Sequence, residues 1–96
     1  MIYTLTFNPS LDYDIYSEKI VSGEVNRVSD TKITFGGKGI NVSAVLNTLG
    51  VANVALGFAG GFSGKELKRL LDESGIRNRL IDISPEQTRI NVKLHS

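Results

Sequence analysis

The sequence predicts an α/β fold, a parallel sheet whose strands are joined by right-handed helical crossovers. Two patterns carry that prediction. Short runs rich in β-branched and aromatic residues alternate with period two, and between them lie stretches whose apolar residues recur at helical spacing. Glycines sit where one period gives way to the other. The composition agrees: 41% hydrophobic and 22% charged residues mark a globular chain. Its 96 residues hold one small domain with a modest core.

The elements follow in order. "MIYTLTF" alternates, with Ile2, Thr4 and Thr6 on one side and Tyr3, Leu5 and Phe7 on the other. It reads as a first strand, ended by "NPS". The region from Leu11 to Thr34 is too long for a plain loop in a compact domain. It carries three β-like pieces, "YDIYS", "EVNRV" and "TKITF", with Gly23 marking a turn between the first two. Being short and partly polar, they suit a flap better than a core sheet.

A first helix is predicted from about Gly39. Ile40, Ala44, Val45 and Leu49 form its apolar side, and Gly50 stops it. "NVALGF" reads as a buried second strand. Ser63 and Glu66 then have capping-box spacing, Leu67, Leu70 and Leu71 form a stripe, and Gly75 closes a second helix. "RLIDI" is a third strand. "TRINVKL" is a fourth, with Ile90, Val92 and Leu94 against Arg89, Asn91 and Lys93. No internal repeat or low-complexity tract interrupts this order. The chain stops at "VKLHS", straight out of a strand pattern, so a longer parent protein is expected.

Composition also narrows the function classes. A net charge of +1, from 11 basic and 10 acidic residues, gives no electrostatic footprint for nucleic acid or an anionic membrane. The absence of cysteine excludes disulfides, thiolate metal sites and a cysteine nucleophile. A single histidine, His95, excludes a multi-histidine metal cluster. No apolar run approaches the roughly 20 residues of a membrane span. The N-terminus lacks the pattern of a signal peptide. A cytoplasmic location is expected.

Three glycine-rich stretches invite a phosphate-binding reading. "GKGINV" has Val42 where a dinucleotide fingerprint needs its third glycine, and it lies far from the first strand. "AGGFSGKE" places Glu66 where a P-loop needs Ser or Thr for magnesium, so a strand-to-helix turn explains it better. "FGGKGIN" sets Gly36, Gly37 and Gly39 around Lys38, then Asn41, at a helix start. Free amides, the positive dipole end, a lysine and an amide side chain there suit a polyol, a phosphate or both. Glycines serving only tight packing explain the stretch equally well.

Asp12 follows "NPSL", in the connection leaving the C-terminal end of the first strand, where parallel α/β sheets bind ligands. Its carboxylate suits two sugar hydroxyls; a turn-capping role is the alternative. Arg27 and Arg89 sit in short β-like stretches, as solvated charges or as phosphate ligands.

Taken together, "TLTFNPSLDYDI", "VNRV", "GGKGINVSAVLNTLG", "ALGFAGGFSG" and "TRINVKL" resemble a family. Their order and spacing are those of the N-terminal part of the phosphofructokinase B branch of the ribokinase-like carbohydrate kinases. The resemblance runs from Ile2 to Leu94. It is strongest to members that phosphorylate fructose 1-phosphate, then to those that act on tagatose 6-phosphate. It implies a three-layer α/β/α sandwich with a small β-sheet lid, the lid strands falling within about 12–35 and 88–96. It implies that Asp12 binds sugar hydroxyls. Gly36, Gly37, Lys38, Gly39 and Asn41 would line the sugar-phosphate site, while Arg89, with Arg27, would hold the substrate's phosphate. The glycine loop would then serve the acceptor sugar, not ATP. ATP and Mg2+ are the implied cofactors, and a homodimer through the lid is the implied assembly of the full-length enzyme. The Gly-Ala-Gly-Asp block that supplies the family's catalytic base is absent from these residues, so the base and the ATP site are expected beyond Ser96, and this chain alone is expected to be inactive. A chain that only binds sugar phosphate is the alternative.

Overall fold

The computed structural model describes residues 1–17, 23 and 30–95. Its elements are β1 (Ile2–Thr6), β2 (Ser10–Tyr16), β3 (Asp30–Gly36), α1 (Lys38–Thr48), β4 (Asn53–Ala59), α2 (Gly61–Glu73), β5 (Asn78–Asp82) and β6 (Arg89–His95). Gly23 lies in a turn at a φ of 80°. The "EVNRV" piece, with Arg27, falls outside the described residues.

The strands form two sheets. The first is parallel throughout, in the order β1-β4-β5. The second has the order β3-β2-β6, with β2 antiparallel to β3 and parallel to β6. The fourth alternating stretch therefore does not extend the parallel sheet. It leaves β5 and pairs with β2 instead.

Each helix of the first sheet ends on a glycine in the left-handed region, Gly50 at φ 76° and Gly75 at φ 74°. Only glycine takes that conformation without strain, and it lets the chain turn back into the next parallel strand. Both helices cover the same face of the sheet, since Thr4 and Ala55 are neighbours in register and face α1, while Leu80 packs into the core below α2. Ile40, Leu67 and Leu71 are fully buried there, with Ala55, Ala59 and Ile76 around them. Leu11 of β2 joins the same core, with Phe35 and Ile33 of β3 packed against it. The second sheet is thus rooted in the first domain layer and extends away from it.

Two local expectations are corrected, the apolar side of α1 and the cap of α2. On β1, whose alternation left the buried side open, that side is the polar one: Thr4 and Thr6 are buried, and Tyr3, Leu5 and Phe7 are exposed. Small hydroxyl side chains let α1 approach the strand, and each hydroxyl is satisfied. Thr4 Oγ1 and Ser43 Oγ share a hydrogen bond of 2.6 Å, and the Ile40 amide donates to Thr6 Oγ1 at 3.1 Å. Accordingly α1 buries Ile40 and Ser43, while Val45 and Leu49 are exposed.

The capping box of α2 does not form. The helix starts earlier, at Gly61, and its caps come from the loop before β6. The Gly60 amide donates to Thr88 Oγ1 at 3.0 Å, and the Gly61 amide donates to Ser84 Oγ at 3.1 Å. Ser63 is buried within the helix and donates to the Thr88 carbonyl at 2.6 Å. Glu66 instead meets the Arg69 guanidinium, whose hydrogen bond holds its carboxyl below the usual range.

Opposite the helices, the first sheet presents an open apolar face. Tyr3, Leu5, Phe7 and Ile81 are exposed on it, and the Phe7 and Phe58 rings stack with centroids 6.0 Å apart. Among the described residues no helix is long and apolar enough to cross a membrane.

Candidate functional site

The site builds up where β1 ends. A parallel sheet gathers helix starts at its C-terminal edge, and α1 begins there against Thr6. Gly37 makes the turn into α1 at φ 128°, a value open to glycine alone. Gly39 permits the close approach: a Cβ there would lie 2.8 Å from the Leu5 carbonyl oxygen and 2.4 Å from Thr6 Oγ1. Two of the three glycines therefore have a packing reason of their own. Among the described residues no hydrogen bond is made by the amides of Lys38 and Gly39 at the helix start. Lys38 and Asn41 are exposed there.

The second sheet adds a polar face to this corner. Pairing runs Gly36–Ser10–Arg89 across the first row, then Thr34–Asp12–Asn91, then Lys32–Asp14–Lys93. Residues opposite one another in a sheet share a face. The register thus brings Gly36, Asp12 and Arg89 together, from positions far apart in the chain. Arg89 and Lys38 are both exposed, and neither joins an ion pair among the described residues. Arg27 lies outside the described residues, so seven of the eight sequence-predicted site residues are placed.

Asp12 is half-buried, and its two oxygens are used differently. Oδ1 accepts from Ser10 Oγ at 2.8 Å and from Asn91 Nδ2 at 3.1 Å. Oδ2 has no hydrogen-bond partner among the described residues. It leans over Gly36, where a Cβ would come within 2.6 Å of it. Gly36 is thus the glycine that the carboxylate itself requires. Ser10 and Asn91 escaped the sequence reading. The available signal was strand alternation: each stands two places from a candidate, Asp12 or Arg89, on the same face.

The farther rows turn from polar to ionic. His95 Nε2 lies 3.0 Å from Asp14 Oδ1, and its ring stacks on Tyr16 at 4.6 Å. The P-loop-like stretch is elsewhere, in the first turns of α2. There Gly64 packs on Ala59 and Thr88, leaving no loop to wrap a phosphate chain.

This arrangement offers one bare carboxylate oxygen, two exposed cations and two helix-start amides within one corner. The comparisons with known proteins give the family. The model of the pfkB family of carbohydrate kinases matches residues 6–96. The chain belongs to that family. Similar members include the 1-phosphofructokinases of Borreliella burgdorferi, 47% identical, and Bacillus subtilis, 50% identical. Each alignment covers 98% of this chain but only 30% and 31% of the relative. A tagatose-6-phosphate kinase of Staphylococcus epidermidis is 38% identical over 99% of this chain and 31% of its own. Among solved structures, phosphofructokinase-2 from Escherichia coli in complex with fructose-6-phosphate superposes at a TM-score of 0.86 with 33% identity, over 98% of this chain and 31% of that one. The pfkB fold is therefore that of this chain, which spans about three-tenths of the relatives it matches.

Proposed function

We propose that this chain supplies the acceptor site of a cytoplasmic, ATP-dependent sugar-phosphate kinase that converts fructose 1-phosphate to fructose 1,6-bisphosphate. The observation that carries the reading is the shared polar face of Asp12 and Arg89, beside the start of α1. A carboxylate oxygen accepts sugar hydroxyls, and a guanidinium grips the phosphate already on the ketose. Lys38 and the α1 amides complete the anionic end of the cradle. Arg27 is part of the same proposal by position in the family pattern.

ATP and Mg2+ do not fit this corner. The free Asp12 oxygen points over Gly36 and would repel a polyphosphate laid along the loop. We assign the nucleotide, its metal and the catalytic base to sequence outside this chain, as the family pattern implies. The second sheet acts as the lid: closing it over the sugar excludes water, which otherwise competes as the phosphate acceptor. Its other face carries exposed Ile90, Val92 and Leu94, which supports pairing of two lids in a homodimer.

Turnover by the full-length enzyme tests the substrate. Fructose 1-phosphate should be used with a higher kcat/KM than tagatose 6-phosphate. The reverse preference would move the assignment to a tagatose-6-phosphate kinase, a reading favoured by the relative at 38% identity.

A further inference from the structure

We infer that Ser10 and Asn91 are positioning residues that fix the Asp12 carboxylate in the one orientation that presents Oδ2 to the sugar. The inference rests on the proposed role of Asp12 in binding sugar hydroxyls and adds to it the two residues that make that role possible.

The three side chains form a closed set. Ser10 spends its hydrogen on Asp12 Oδ1, and its lone pair accepts from Asn91 Nδ2 at 3.3 Å. Asn91 Nδ2 also donates to Asp12 Oδ1. Ser10 is only 1% exposed, so no water competes for its hydroxyl. A lone aspartate on a sheet surface samples several rotamers, and a sugar would have to select one. Two donors on Oδ1 make that selection in advance, so binding no longer carries the ordering cost. The missing Cβ of Gly36 leaves room on the other side, where Oδ2 stands without a partner among the described residues.

The chain connectivity gives the trio a second consequence. Asn91 and Arg89 stand on the same face of one strand, β6, and pair with Asp12 and Ser10 of β2. The group that orients the hydroxyl acceptor and the group that holds the phosphate thus ride on a single strand. A shift of β6 would disturb both ends of the substrate together. Ser10 and Asn91 touch the substrate only through Asp12.

The test uses the full-length enzyme with Asp12→Asn, Ser10→Ala, Asn91→Ala and Asn91→Asp. Asp12→Asn calibrates the reading beneath the inference: it should raise the KM for fructose 1-phosphate. Ser10→Ala and Asn91→Ala should each raise that KM about tenfold, the scale of one hydrogen bond to a charged group, with the KM for ATP unchanged. Should Asn91→Ala destabilise the sheet in a thermal melt, Ser10→Ala carries the same test from the other strand. Asn91→Asp supplies a readout that a mere cross-strand staple would not move. It sets two carboxylates at hydrogen-bond distance, which share a proton at low pH and repel each other once both ionise. Its KM relative to wild type should climb between about pH 5 and about pH 8. If Asp12→Asn weakens sugar binding while Ser10→Ala and Asn91→Ala stay within about twofold, or the Asn91→Asp ratio is flat with pH, positioning is overturned and the sugar site stands. If Asp12→Asn itself leaves sugar binding intact, the underlying reading fails and the inference with it.

Discussion

An alanine methyl at Gly36 would come within 2.5 Å of Ser10 Oγ and 2.6 Å of Asp12 Oδ2. Both are ends of side chains, so the clash is relieved by rotating the Ser10 hydroxyl and turning the carboxylate away. At Gly39 the same methyl meets the Leu5 backbone carbonyl, which has no such freedom. The two substitutions should therefore separate binding from stability. Gly36→Ala should raise the sugar-phosphate KM about tenfold or more with a small change in melting temperature, as expected for loss of a charged hydrogen bond. Gly39→Ala should cost about 1–3 kcal/mol in urea unfolding, the range for overpacking. Equal stability losses would contradict the division. The sequence revealed that glycines cluster around Lys38 at a helix start. It did not reveal which glycine makes room for the Asp12 carboxylate, because that depends on contacts from Thr6, Ser10 and Asp12, all on other strands.

The loop between β5 and β6 caps α2 and also launches the strand that carries Arg89. Thr88 does both, accepting from the Gly60 amide with its hydroxyl while its carbonyl takes the Ser63 hydroxyl. Thr88→Val keeps the shape and removes the acceptor. The buried Gly60 amide then has no partner, which costs about 1–3 kcal/mol in denaturant unfolding. The same variant should raise the KM for sugar phosphate, because β6 loses one of its ties next to Arg89, and unchanged kinetics would speak against that link. Most elements were legible at this scale. The stripe of Leu67, Leu70 and Leu71 and the stops at Gly50 and Gly75 act as their spacing predicts. The start of α2 was not legible. Ser63 and Glu66 match a local capping motif, but the Thr88 carbonyl, from a distant loop, claims Ser63, and Arg69, one turn along α2, claims Glu66. Local propensity yields to such contacts wherever a distant loop folds back on a helix end. The buried side of β1 was hidden for a similar reason, since Thr4 and Thr6 pass for a solvent face until Ser43 and the Ile40 amide are seen to satisfy them.

On the scale of the molecule, helices cover one face of the first sheet and none of the described residues covers the other. Tyr3, Leu5, Phe7 and Ile81 form an apolar surface there, and parallel sheets are ordinarily covered on both faces. This agrees with a chain that spans about three-tenths of its relatives. The second sheet offers another apolar surface, at Val92 and Leu94. Sedimentation velocity of the full-length enzyme should show a dimer that Val92→Asp combined with Leu94→Asp converts to a monomer, and an unchanged sedimentation coefficient would exclude that face. The α/β class was legible because alternation and helical spacing are local. The division into two sheets was legible only through the family resemblance, which set a lid sheet within about 12–35 and 88–96, because β6 and β5 look alike in sequence and only pairing with β2 sets β6 apart. We propose that this corner holds a phosphorylated sugar and not a nucleotide. The most direct test is the pair of KM values, for fructose 1-phosphate and for ATP, in the full-length Arg89→Ala enzyme. The sugar-phosphate KM should rise about a hundredfold, the scale of a lost guanidinium–phosphate pair, with the ATP KM within about twofold of wild type. Equal increases for both ligands, or an increase confined to ATP, would contradict it.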